Sequence, residues 1–152
     1  MVEEETPTRG ALEDREAVEA AHRAYYAAWE VGDPQAIMDV WADDDRVCYI
    51  LPGNGPNHGR TAVRERVLET MTFAAGLQFL FTEIDVTVSG DVARLTCVET
   101  VISPDTFGGD EEMAAALAKL AVTSLFMRTA DGWKMWHHQA GPMLTHLRLE
   151  RE

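Results

Sequence analysis

Basic residues are scarce: 13 Lys and Arg stand against 26 Asp and Glu, for a formal net charge of −13. A surface of that sign repels phosphate backbones and anionic lipid, which argues against nucleic-acid and membrane-surface partners. Long hydrophobic runs are missing too, since none approaches the ~18–20 residues that a membrane-spanning helix needs. The opening stretch, Met1 to Gly10, is acidic instead of basic-then-apolar, so no secretory leader is predicted. Cysteine is limited to Cys48 and Cys97, in no C-x-x-C pattern. That points to a reducing, cytoplasmic setting with both as small core residues. What remains suits a single domain: 152 residues, 46% of them hydrophobic, can bury a core without disulfide or metal staples, and wholesale disorder is excluded.

Residues 1–12 lack periodicity and read as a flexible acidic arm, 13–145 as one domain and 146–152 as a charged tail. From Asp14 the pattern turns helical, with Val18, Ala21, Tyr25, Ala28 and Trp29 on one stripe. Gly32 ends that helix, and Asp33-Pro34 restarts another as N-cap and first-turn proline, with Ile37, Val40 and Trp41 inward. Val47 to Leu51 reads as a strand closed by the turn cluster Pro52 to Pro56. A third helix is expected from about Gly59 to Thr61, burying Val63, Val67, Leu68 and Met71. Gln78–Ser89 and Val92–Ile102 alternate as strands around the Gly90-Asp91 turn. Ser103 to Glu112 is an acidic loop, Met113 to Ala121 a short helix by propensity, and Leu120 to Thr129 a strand. Asp131-Gly132 turns into a last strand, Trp133 to Ala140. Helices first and antiparallel strands after them predict an α+β domain.

Several segments resemble one family. Ala24-Tyr25-Tyr26-Ala27-Ala28-Trp29-Glu30-Val31-Gly32-Asp33, followed by Ala36-Ile37 and Trp41-Ala42-Asp43-Asp44, is similar to the opening of the nuclear transport factor 2-like superfamily, in its SnoaL-like and ketosteroid-isomerase-like branch. His58-Gly59-Arg60 and Gly132 to His138 resemble the entry to that fold's third helix and its last strand. The resemblance covers roughly residues 14–143. It implies a cone-shaped fold in which three N-terminal helices pack in a strongly curved, mixed but mainly antiparallel sheet around an apolar pocket. It also implies a homodimer through the outer sheet face, which the two-sided apolar pattern of Leu125/Met127 and Val122/Phe126 supports. Fold alone does not choose a function.

Ketosteroid isomerases of this family use a helix-one tyrosine and a protonated acid as oxyanion hole and an aspartate as base, a trio that is a standard worked case of pKa tuning. Alignment on the shared motifs puts the tyrosine on Tyr25, the aspartate on Tyr49 and the acid on Leu125. Two of three groups are replaced, which excludes steroid isomerisation by that mechanism. Leu51 stands where many SnoaL-like relatives carry a histidine.

His137 and His138 are neighbours on a strand, so they face opposite ways and share no metal. In family register His137, Gln139 and Gly141 face the pocket, and His138 faces out. His137 is then a candidate general base, or else a buried histidine satisfied by a neighbouring strand. Tyr25, Trp41 and Tyr49 converge as candidate ligand contacts or as aromatic core. The same register sends Thr96 and Val98 inward with Arg94 at the rim, and Leu95, Cys97 and Glu99 outward. The candidate site is accordingly His137, Tyr25 and Tyr49 for chemistry, with Trp29, Trp41, Thr96, Val98, Leu125 and Gln139 as ligand contacts. His58 and Asp43 to Asp45 lack metal-ligand spacing, and Gly53-x-Gly55 lacks a phosphate-loop setting, so neither metal nor cofactor is expected.

Three functions follow. The first is a pocket that binds a small hydrophobic or carbonyl-containing molecule. The second is a cofactor-independent cyclase, isomerase or dehydratase with His137 as base. The third is a dimeric association module whose pocket is filled by Met71, Phe73, Phe79 and Phe81.

Overall fold

Thr8 opens the first helix: its side-chain oxygen accepts from the Ala11 N–H at 3.1 Å, satisfying one of the donors a helix start leaves free. In the computed structural model, which describes residues 6, 8–74, 76–102 and 119–143, helix α1 runs Arg9–Val31. It begins ahead of Asp14 because the Thr8 cap, and not the first apolar residue, sets its start. Its buried stripe is Val18, His22, Tyr25, Tyr26, Ala28 and Trp29, so His22 and Tyr26 join the residues expected from periodicity. Gly32 caps it at φ 73°, a left-handed conformation that costs a glycine nothing. Asp33 then caps α2 (Pro34–Val40) by accepting from the Ala36 N–H at 3.1 Å. Helix α3 spans Arg60–Ala74 and buries Val63 and Val67; Leu68, expected inside, is exposed.

Among the described residues six strands follow the order β2-β1-β6-β5-β4-β3. They are β1 (Cys48–Ile50), β2 (Asn57–His58), β3 (Gln78–Ser89), β4 (Val92–Ile102), β5 (Lys119–Thr129) and β6 (Gly132–Pro142). Among these strands β1 pairs β6 in parallel, and the other four pairings are antiparallel. The sheet is open and mixed, and α1 packs on β3, β4 and β6, so the strands wrap the helix in the α+β arrangement expected. His58 is part of β2, opposite Cys48, and not merely a lead-in to α3. The helix expected over 113–121 falls mostly outside the described residues, and Lys119 to Ala121 belong to β5.

Two bulges bend the sheet and decide which side chains point inward. In β3 the register shifts between Thr82 and Asp85, where Glu83 takes φ 54°. In β6 it shifts opposite Leu125/Phe126, leaving Trp136 as the extra residue between Met135 and His137. An inserted residue reverses the alternation beyond it. Phe79 and Phe81 therefore pack inward before the first bulge, and Val86 and Val88 after it. Trp133 and Met135 are buried before the second bulge, and His138 and Ala140 after it.

α1 is tied to the far strands by a bidentate pair. Arg128 Nη1 and Nη2 donate to the two Asp14 carboxylate oxygens, each at 2.9 Å, and Trp133 Nε1 donates to the same carboxylate at 3.3 Å. The Arg128 guanidinium also lies 4.4 Å from the centroid of the Trp133 ring. These bonds hold the Asp14 carboxyl below its usual pKa, chiefly through Arg128.

Candidate functional site

Between α1, the end of α3 and the concave face of the sheet lies a cavity of about 350 Å³. Helical spacing puts Tyr25, Tyr26 and Trp29 of α1 on its wall, β1 contributes Tyr49, β4 Glu99, and β6 His138 and Ala140. Leu51, Pro52 and Asn54 of the turn after β1, together with Phe73, line the remainder. Phe73 is 69% exposed, which puts it at the mouth. The volume is near the lower end of the ~300–1,000 Å³ usual for ligand sites, so a small molecule fits.

The polar groups converge from four elements. The hydroxyls of Tyr25 and Tyr49 hydrogen-bond each other. Burial pushes both pKa values up, and for Tyr49 the neighbouring Tyr25 adds to the rise. Both therefore remain phenols, and since one hydroxyl donates to the other, the pair keeps one O–H to donate to a ligand oxygen. His138 sits with its ring 4.9 Å from that of Tyr25 and 5.6 Å from that of Tyr49. Its Nδ1 shares a hydrogen bond of 2.8 Å with Ser124 Oγ, because the two residues face each other across β5 and β6. Burial first, then the neighbouring His22 and His137, lower its pKa to about 3, so the imidazole is neutral. Glu99 is 4% exposed. Burial raises its pKa to about 7, against an opposing effect of the Tyr26 hydroxyl, so near neutrality the carboxyl both holds and releases a proton. Tyr26 Oη, buried beside it, has no hydrogen-bond partner among the described residues.

Several expected placements are reversed. His137 does not line the cavity: it lies on the outer face, half-buried, in register with Cys48 and Leu125, and its neighbour His138 faces in. The Trp136 bulge is the cause, since it moves the inward parity from odd to even along β6. Gln139 and Gly141 point outward with His137. On β4, Leu95, Cys97 and Glu99 are buried on the concave side, so Thr96, Val98 and Arg94 face out. On β5 the buried set is Leu120, Val122, Ser124 and Phe126, which puts Leu125 outside and Ser124 in its place. Tyr25, Tyr49 and Trp29 do line the cavity. Trp41 is buried behind it, its ring 5.2 Å from that of Tyr49.

The residues overlooked as site residues are therefore Tyr26, Glu99, Ser124 and His138. Tyr26 carried its signal in the helical spacing of α1, and Glu99 in its strand: on β4 the alternate set contains Arg94 and Thr96, the more polar set, which belongs outside. Among the described residues no three His, Cys, Asp or Glu side chains are grouped to hold a metal ion, and no helix is long and apolar enough to cross a membrane.

Residues 18–145 match the SnoaL-like domain family. A structure from Streptomyces avermitilis, assigned provisionally as a dehydratase of the NTF2-like family, is 33% identical, with a TM-score of 0.74 over 88% of this chain and 98% of that one. A protein from Thiobacillus denitrificans, assigned provisionally as a calcium/calmodulin-dependent protein kinase type II association domain, is 30% identical, with a TM-score of 0.68 over 82% and 94%. A ketosteroid isomerase-like protein from Erwinia carotovora is 19% identical, with a TM-score of 0.62 over 86% and 97%, and shares the fold. No curated protein matches the sequence. With the family matched over most of its length and its helices and sheet superposing on these relatives, the chain belongs to the SnoaL-like family of the NTF2-like superfamily.

Proposed function

We propose that this protein binds a small, largely apolar molecule in the cavity between α1 and the sheet, with a polar end held by Tyr25, Tyr49 and Glu99. The observation that carries this reading is the convergence of those buried polar groups on an aromatic-walled space that the chain's own side chains leave open. Met71 and Phe81 pack against the core, and Phe73 and Phe79 line the space without filling it, which speaks against a pocket closed for association alone. The site suits a ligand whose apolar body meets the rings and whose one polar end lies at the tyrosine pair and Glu99. The test is titration calorimetry with 2-acetylnaphthalene against wild type and Ala140→Phe, a change that fills the cavity from β6. Saturable binding lost in the variant is expected; no saturable binding, or binding unchanged by the variant, contradicts the reading.

A second reading is catalytic, favoured by a carboxyl of near-neutral pKa beside two phenol donors and by the provisional dehydratase at 33% identity. Glu99 takes the place proposed above for His137 as general base. It removes a proton α to a carbonyl while the tyrosine pair stabilises the developing oxyanion, and as the enolate collapses and the Cβ–O bond breaks, the protonated Glu99 returns that proton to the hydroxyl, which leaves as water. Turnover of a β-hydroxy ketone that rises with pH through about 7 and is lost in Glu99→Gln is the expected result. Self-association through the outer face, which carries half-buried Val98, Leu125 and Met127, belongs to the same proposal. Light scattering that finds only monomer at high concentration counts against it. Two free cysteines fit a cytoplasmic setting.

A further inference from the structure

The cavity is electrostatically one-sided. The rings of Tyr25, Tyr26, Trp29, Tyr49, Phe73 and Phe79 make up much of its wall, and ring faces carry the negative end of the aromatic quadrupole. Among the described lining residues Glu99 is the only carboxylate, and there is no lysine or arginine. Among the described residues the groups that face Glu99 supply no positive charge either. From α1 they are Tyr25 and Tyr26, from β1 Tyr49, and from its own strand Cys97. From β6 comes His138, kept neutral by burial. His22, which edges against Tyr26 and lies 3.8 Å from Cys97 Sγ, is likewise held neutral, with burial lowering its pKa to about 4.

We propose that the cavity selects a small molecule with an apolar body and a protonated amine, the ammonium seated between the Glu99 carboxylate and the aromatic rings around it. This rests on the reading of the cavity as a binding site and adds the chemical class of the occupant. Two physical points favour a cation over a neutral or anionic ligand. Folding has already stripped water from the Glu99 carboxyl, so an incoming ammonium bears only its own desolvation and meets a counter-ion in place. The rings add cation–π attraction, which is largest where water is excluded. An anion, by contrast, meets a like charge and the negative faces of the rings. The Tyr26 hydroxyl, buried beside Glu99, offers a further oxygen acceptor for an ammonium N–H.

The proposal is tested with the full chain and two near-isosteric probes, tryptamine and its alcohol counterpart tryptophol, by calorimetry at about pH 8, where Glu99 is ionised and the amine still charged. Tryptamine is expected to bind about tenfold tighter than tryptophol or better, with that advantage shrinking as pH falls through 7 and Glu99 takes up its proton. In Glu99→Gln, checked for folding by its thermal transition, the affinity ratio of the two probes should drop to about one. Equal affinity of the two probes for wild type, or a ratio untouched by Glu99→Gln, overturns the amine proposal and leaves the cavity reading standing. Tryptamine binding that survives Ala140→Phe places the amine elsewhere and overturns it as well. Saturable binding of neither probe overturns both readings.

Discussion

His137 and His138 are chemically identical and adjacent, yet the sheet gives them opposite fates. His138 is 1% exposed, bonded to Ser124 and held neutral among three tyrosines. His137 is half-buried on the convex face, and its pKa is lowered mainly by partial burial. The same contrast runs along β4, between Glu99 inside and Val98 outside, and along β5, between Phe126 and Leu125. The concave face carries buried groups whose protonation states burial dictates, whereas the convex face keeps ordinary surface chemistry. Titratable residues acquire their protonation states here through the side of the sheet they occupy, not through residue type.

The contrast is sharpest where a large apolar side chain has an outward neighbour. Phe126 is fully buried, so Phe126→Ala should cost about 3–5 kcal/mol in urea denaturation. Leu125→Ala, one position along, should cost no more than about 1 kcal/mol. Equal losses would mean that both faces of β5 are core.

Glu99 provides the next largest effect, with its sign set by burial. Its carboxyl pKa rises from 4.5 to about 7 on folding, so between those values the folded protein holds a proton that the unfolded chain gives up. Its contribution to stability is therefore full at and below pH 4.5 and is lost as pH rises through 7. Glu99→Gln removes that loss and should gain on the order of 3 kcal/mol relative to wild type between about pH 4.5 and pH 8. Parallel stability curves for the two proteins would place Glu99 in water.

The histidines have the opposite sign. His138 and His22 fall on folding from 6.5 to about 3 and about 4, so the unfolded state binds more protons below pH 6.5. Stability is lost as pH falls from there toward the folded values. His138→Ala should flatten that acid-side decline. At neutral pH it should cost about 1–3 kcal/mol by leaving Ser124 Oγ without its partner, whereas His137→Ala should stay within ~0.5 kcal/mol.

Much of the fold was legible because its signals are local. Asp33-Pro34, Gly32, the Gly90-Asp91 turn and the stripe through Val18, Tyr25 and Trp29 each report on a few neighbouring residues. Helix periodicity put Tyr25 and Trp29 on the inward stripe of α1, and the family resemblance put Tyr25 and Tyr49 at the cavity. The sheet residues could not be placed by alternation alone. Alternation says that Leu95, Cys97 and Glu99 share a face but not which one, and one extra residue reverses the answer. The clues to the bulges are a change of parity, from Phe79 and Phe81 to Val86 and Val88, and from Trp133 and Met135 to His138 and Ala140. The strand β2 was missed because two residues, Asn57 and His58, carry no pattern; only pairing with β1 defines it.

The most direct test of this inside-out assignment is an NMR titration of the imidazole resonances of His137 and His138 between about pH 8 and pH 4, assigned with single His→Gln variants. The structure predicts that His137 titrates with a midpoint somewhat below 6.5 while His138 shows no step above about pH 4. A His138 that titrates near 6.5, with His137 silent instead, would return the cavity to the other face of the strand and contradict the account.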